Sequence, residues 1–153
     1  MPTVARRRSG ASDFGLQPRR DRLKTHTRTV RRYDHVDQRV RNLATARPFY
    51  LALLPALGFT RDDSNERWLE FESEDGEVSD YFAVTESSDH VPGQSRIAFW
   101  AESPSEVDRL AEIVMQGGGC NIEGPGYEAP HYYAVFFEDP DGNRFEICHR
   151  TSN

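Results

Sequence analysis

Three ionisable side chains occupy strand-like segments of this chain: His35 in YDHVDQRV, Arg96 in SRIAFWAES and Glu146 in RFEICHR. A carboxylate accepts protons and hydrogen bonds, a guanidinium donates from a fixed fork and stays charged, and an imidazole changes state near neutral pH. What such groups can do depends on the face they share. Strand side chains alternate with period two, so Glu146 goes with Arg144 and Cys148, against Phe145, Ile147 and His149. An acid is thereby set beside core-forming residues. A solvated edge strand would place it equally well, so Glu146 needs partners from elsewhere in the chain. In YDHVDQRV, Val36 and Val40 face a core while Tyr33, His35, Asp37 and Arg39 share the opposite face. Polar groups crowded on one strand face indicate water or a cavity.

The elements that position these residues are legible around them. HYYAVFFEDPDGNRFEICHR predicts a β-hairpin, because Pro140 presets φ, Asp141 can bond its own backbone and Gly142 tolerates positive φ. RNLATARPFYLALLPALGF carries Leu43, Ala46, Phe49, Tyr50, Leu53, Leu54 and Leu57 at helical spacing. Pro48 suits a first turn; Pro55 predicts a kink or tightening before Gly58 ends the helix. In SRIAFWAESPSEVDRLAEIVMQGGG, Ile97 and Phe99 face a helix whose capping box is Ser103, Pro104 and Glu106. Val107, Leu110, Ala111 and Val114 form its stripe and Gly117 to Gly119 close it. Short strands follow each unit: RWLEFES and SDYFAVTE after the first, CNIEGPG and the hairpin after the second. A strand, a helix and three strands, written twice, is a duplicated module in which His35 and Arg96 hold equivalent places.

In that order, DHVDQRV, ARPFY, LPALGF, RIAFWAES and YYAVFFEDPDGNRFEICH resemble the vicinal oxygen chelate superfamily of glyoxalase I, bleomycin-resistance proteins and extradiol dioxygenases. The resemblance covers about residues 33 to 150, with modules at about 33–88 and 94–150. It implies an α+β fold of paired βαβββ modules that curl into an open barrel around a ligand cavity, and commonly a homodimer, sometimes with each cavity built from both chains. It does not imply one reaction, because the fold hosts isomerases, oxygenases, lyases and non-catalytic drug binders.

By that resemblance the metal ligands of catalytic members map to His35, Arg96 and Glu146, with a further position in YFAVTES where Glu86 alone could coordinate. Imidazole and carboxylate suit zinc, nickel, iron or manganese; guanidinium has no lone pair to give. Two readings follow. In one, Arg96 replaces the cation in an ion pair with Glu146, and with Asp37, and the cavity binds a small molecule without metal chemistry. In the other, a divalent metal binds His35, Glu146 and a displaced group such as His131, His149 or Glu86, Arg96 holds an anionic substrate, and the protein is a metal-dependent lyase, isomerase or dioxygenase. His131, in a loop after Gly126, Tyr127 and Pro130, is the candidate general acid or base if it points inward, and a surface residue if it does not. Trp100, Tyr132, Tyr133 and Tyr127 could wall a planar ligand or simply pack. His149 falls on the helix-facing side, and His90 in a solvated loop.

Composition bounds the rest. A chain of 153 residues supports one domain with a real core. Cys120 and Cys148 have neither metal spacing nor a disulfide framework, so a reducing cytoplasm is expected, and no apolar run reaches membrane-spanning length. Charge is unevenly placed: residues 1–32 hold ten Arg or Lys and two Asp, a balance of +8, and the remainder holds nine basic and twenty-three acidic residues, a balance of −14, giving −6. The tail has few core-forming residues and is expected to be disordered. Phosphate binding, a transit peptide and interaction with a protein partner are open to such a segment. A non-functional extension is the preferred expectation, so nucleic acid is not expected as a partner.

Overall fold

The computed structural model describes residues 33–73 and 80–152. The basic tail lies outside the described residues. From His35 onward the duplication is plain. β1 (His35–Val40), α1 (Leu43–Ala56), β2 (Arg61–Asp62), β3 (Trp68–Glu72) and β4 (Tyr81–Glu86) form the first module. β5 (Arg96–Trp100), α2 (Pro104–Gln116), β6 (Cys120–Ala129), β7 (Tyr132–Glu138) and β8 (Arg144–Arg150) form the second. Each builds a four-stranded sheet, in the orders β1-β4-β3-β2 and β5-β8-β7-β6. In each, the first strand runs parallel to the last and the other pairings are antiparallel. This is the expected α+β fold of paired βαβββ modules, its two sheets curled without closing into a barrel. β2, two residues long, was not visible in the sequence pattern.

The helices start and stop for identifiable reasons. Asn42 caps α1 by accepting from the Thr45 N–H at 2.9 Å, six residues ahead of Pro48, which therefore lies inside the helix rather than in its first turn. The last turn tightens as Pro55 suggested. Leu57 N–H is shared between the Leu53 and Leu54 carbonyls, Gly58 N–H reaches Pro55 O, and Gly58 adopts φ +99°. Ser103 caps α2 by accepting from Glu106 N–H at 3.2 Å, and the Glu106 carboxylate reaches back to Glu102 N–H, one residue beyond the expected cap. Gly119 cannot be larger, since a Cβ there would meet a Val114 methyl at 2.5 Å.

Period-two alternation sends one face of β1, β3, β4, β5, β7 and β8 toward the helices. Val40, Leu69, Phe71, Phe82 and Val84 of the first module and Val135, Phe137, Phe145 and Ile147 of the second join the buried stripes of α1 and α2 in one cluster. Rings cross the module boundary, among them Phe82 with Phe99 and Tyr50 with Phe145. The modules thus share a core on their helix sides, and the opposite, open face of each sheet lies away from it.

The hairpin turn is a second link between modules. Asp139, fully buried, accepts the Tyr50 hydroxyl at 2.6 Å, the Asn143 amide and the backbone N–H groups of Asp141 and Asn143. Within the turn it is Asp139, not Asp141, that bonds the local backbone. Asp141 instead receives Arg41 through both its backbone N–H and its guanidinium at 2.8 Å, and the Asn143 amide donates to Arg39 O. Burial and the Asp139 charge push the Tyr50 hydroxyl well above the usual tyrosine range.

Candidate functional site

Because both parallel ladders begin at their first residue, the open faces can be matched row by row. In the first sheet His35 stands beside Tyr81 and Glu72, then Asp37 beside Ala83 and Glu70, then Arg39 beside Thr85 and Trp68. In the second, Arg96 stands beside Arg144 and Glu138, then Ala98 beside Glu146 and Phe136, then Trp100 beside Cys148 and Ala134. Arg150 and Tyr132 complete that face.

Glu146 is the centre of the second face. Although it projects from the open side it is only 6% exposed. The Tyr132 hydroxyl donates to one of its oxygens, in close contact, and the Arg96 guanidinium lies 3.9 Å from the other. Arg96 is held over the Phe136 ring at 4.6 Å, and Arg150 over the Tyr132 ring at 5.4 Å. Burial, then the Glu146 hydrogen bond and charge, push the Tyr132 hydroxyl far above its ordinary value. The Cys148 thiol, also buried, is pushed up by burial and by the Glu146 charge, which keeps it protonated and unreactive. Beside this group Arg96, Arg144, Glu138, Phe136 and Glu123 line a cavity of about 200 Å³. Trp100, 61% exposed, stands at the end of the same face with its ring 5.6 Å from His149.

His35 belongs to the other sheet. Its Nδ1 lies 2.7 Å from an Asp34 carboxylate oxygen and its ring stacks on Tyr81 at 4.5 Å. It lines a largely apolar cleft of about 300 Å³ with Tyr33, Phe59, Tyr81 and Phe99, and a recess of about 180 Å³ with Asp37, Trp68 and Glu70. Neither includes Arg96 or Glu146. The structure thus brings together Arg96, Glu146 and Tyr132, while His35 stands apart and Asp37 pairs with Arg39 rather than Arg96.

Other sequence expectations resolve by parity. Glu86 pairs with Val40 in register, on the helix side, and its carboxylate accepts the Leu43 N–H at 2.9 Å, so it caps α1 instead of facing a cavity. Tyr133 points to the helices, where its hydroxyl donates to Asp108, and Tyr127 packs against it; these two do not join Trp100 and Tyr132 in one wall. His131 is exposed at the tip of the β6–β7 turn, with Nδ1 3.2 Å from the Thr151 hydroxyl. His149 lies on the helix-facing side, near the Ala101 carbonyl. His90 is not simply solvated, since its Nε2 lies 2.8 Å from the Asn143 side-chain oxygen. Trp68, Glu70 and Phe136 were missed as site residues, although the alternation of WLEFE and YYAVFFE would have placed them on the open faces.

The donor set within one chain does not fit a metal. Glu146 has Tyr132 and Arg96 on its oxygens, Arg96 offers no lone pair, Glu86 is a cap, and His35 faces a different recess. No group of three His, Cys, Asp or Glu side chains suited to a metal occurs among the described residues. No described helix is long and apolar enough to cross a membrane.

Paired βαβββ modules with a shared core and two open sheet faces define a recognisable class of fold. The sequence signature of the Glyoxalase/Bleomycin resistance protein/Dioxygenase superfamily matches residues 32–147, and the chain belongs to that superfamily. A glyoxalase/bleomycin resistance protein from Albidiferax ferrireducens T118 is 28% identical, with a TM-score of 0.65 over 78% of this chain and 98% of that one. The fosfomycin resistance protein FosX from Mesorhizobium loti shares the fold at 20% identity and a TM-score of 0.59, over 80% and 95% of the two chains. FosX from Listeria monocytogenes, solved with Mn(II) and sulfate, shares it at 17% identity and a TM-score of 0.59, over 80% and 93%. No curated protein matches the chain.

Proposed function

We propose that this chain is a small-molecule-binding member of the superfamily whose ligand meets the open face of the second sheet at Glu146, with Arg96 supplying positive charge there. The observation that carries this reading is the state of Glu146: a carboxylate 6% exposed, with the Tyr132 hydroxyl on one oxygen and Arg96 near the other. A buried carboxylate needs such partners to remain charged. Arg96 has five N–H donors and a half-exposed side chain, so several remain for an oxygen acceptor on a ligand. Trp100 and the ring of Tyr132 offer flat apolar surface to a planar portion. The protein is proposed to assemble as a homodimer.

Elemental analysis of the purified protein and thermal melts with zinc, nickel, manganese and ferrous iron test this reading. No stoichiometric metal and no melt shift is the expected result. Stoichiometric metal lost in both His35→Ala and Glu146→Ala would overturn it. That outcome would favour a centre drawn from two chains and the reading of a metal-dependent lyase, isomerase or dioxygenase, with substrate screens and His131 as a proton carrier the next things to test.

A further inference from the structure

We infer that the open face of the first sheet carries a binding recess for a small organic cation, such as an alkylated or quaternary ammonium group. Ala83 is the floor. It lies on the central pair of strands with Asp37 beside it on β1 and Glu70 beside it on β3, and the rows on either side carry Tyr81 and Trp68. A methyl group surrounded by larger side chains leaves a hollow, here about 180 Å³. Strands are spaced by about 4.8 Å, so Asp37 and Glu70 approach the hollow from opposite sides, their backbones about 10 Å apart.

The chemistry of the walls favours positive charge. Asp37 is already answered, by the Thr85 hydroxyl and by Arg39, each at 2.7 Å. Glu70 is not: its carboxylate has no hydrogen-bond or ion-pair partner among the described residues. Glu72, on the same strand face, differs in being paired with Arg61 at 2.6 Å. Trp68 is 38% exposed and its indole is stacked against no other ring among the described residues. Tyr81 is braced on one face by His35, with the two planes within 5°. Aromatic faces carry negative potential and attract cations, and an unanswered carboxylate adds to it. A bare metal ion would find one free carboxylate among rings, too few donors to replace its water. An organic cation needs fewer polar partners and gains from the rings. This recess is independent of the Glu146 centre, which lies on the other sheet and presents Arg96.

The test is a two-dimensional NMR titration of the full chain with choline and, separately, with its neutral isostere 3,3-dimethylbutan-1-ol, at constant ionic strength. Saturable choline shifts at the Trp68 indole N–H and at the β3 and β4 amides, with none from the alcohol, are expected. Glu70→Gln and Trp68→Leu should each weaken choline about tenfold while the melting temperature is retained. Equal shifts from the alcohol would overturn the inference in favour of an apolar hole. Shifts confined to β5 and β8, or none at all, would also overturn it, and the first of these would leave the Glu146 reading standing.

Discussion

The two sheets have the same strand order and match in register across β1-β4-β3 and β5-β8-β7, yet their open faces differ at the centre. The first reads Asp37, Ala83, Glu70 across its middle row; the second reads Ala98, Glu146, Phe136. Where the acids flank a small residue, a recess forms and one carboxylate stays unanswered among the described residues. Where the acid itself is central and small or flat residues flank it, it is enclosed and draws in Arg96 and Tyr132. One topology thus yields an open acidic hollow and a closed ion-paired centre, decided by which of three adjacent strands carries the carboxylate. The duplication sets the face on which a side chain stands. The row neighbours set its charge environment.

The sharpest way to break this contrast is to remove the turn that ties the second sheet to the first module. Asp139→Ala strips acceptors from Tyr50, Asn143 and two backbone N–H groups in a buried place, and should cost about 3 kcal/mol or more in urea unfolding. Glu146→Gln should come next, at about 1–2 kcal/mol, because it weakens the carboxylate's hold on Arg96 and Tyr132. The same substitution should lower the Tyr132 ionisation, read by ultraviolet titration, since the Glu146 hydrogen bond and charge help to raise it.

The pH dependence of the parent has a definite sign. Tyr50 and Tyr132 hold their protons more tightly folded than unfolded. Their stabilising contribution is therefore complete below the unfolded value of about 10 and is lost as pH rises above it toward the raised folded values. Melting temperature should fall above about pH 10, less steeply in Tyr50→Phe and Tyr132→Phe, each compared with its own neutral-pH value. The smallest effect belongs to the first sheet: Glu70→Gln should change stability by no more than about 0.5 kcal/mol, because that carboxylate holds no partner among the described residues. A loss comparable to that of Glu146→Gln would mean the two faces are not built differently after all.

Much of this arrangement can be read from local pattern. Period two in YDHVDQRV and RFEICHR separates His35 and Glu146 from the core residues beside them. Helical spacing identifies the stripes Phe49–Tyr50–Leu53 and Val107–Leu110–Val114. The Arg96 and Glu146 pair follows from the duplication and the resemblance together. What stayed hidden depends on distance and parity. Arg41 meets Asp141 across 100 positions of sequence, and nothing local indicates that the hairpin turn would be gripped by the other module. Glu86 looked like a ligand because a shift of one residue moves a side chain to the other face of its strand. Tyr133 and Tyr132 are neighbours in sequence and, for the same reason, belong to opposite faces. The separation of His35 from Glu146 reflects how two modules share a core, which no strand pattern encodes.

That shared core has an evolutionary corollary. Since the side chains that hold the modules together come from the helix-facing positions, substitutions at the alternate positions leave the packing largely untouched. A lineage can therefore rewrite one open face while conserving the other, and an engineer can transplant a row of three residues from a relative without rebuilding the scaffold. Duplication gave this molecule a spare copy, and the back-to-back assembly lets the two copies specialise separately.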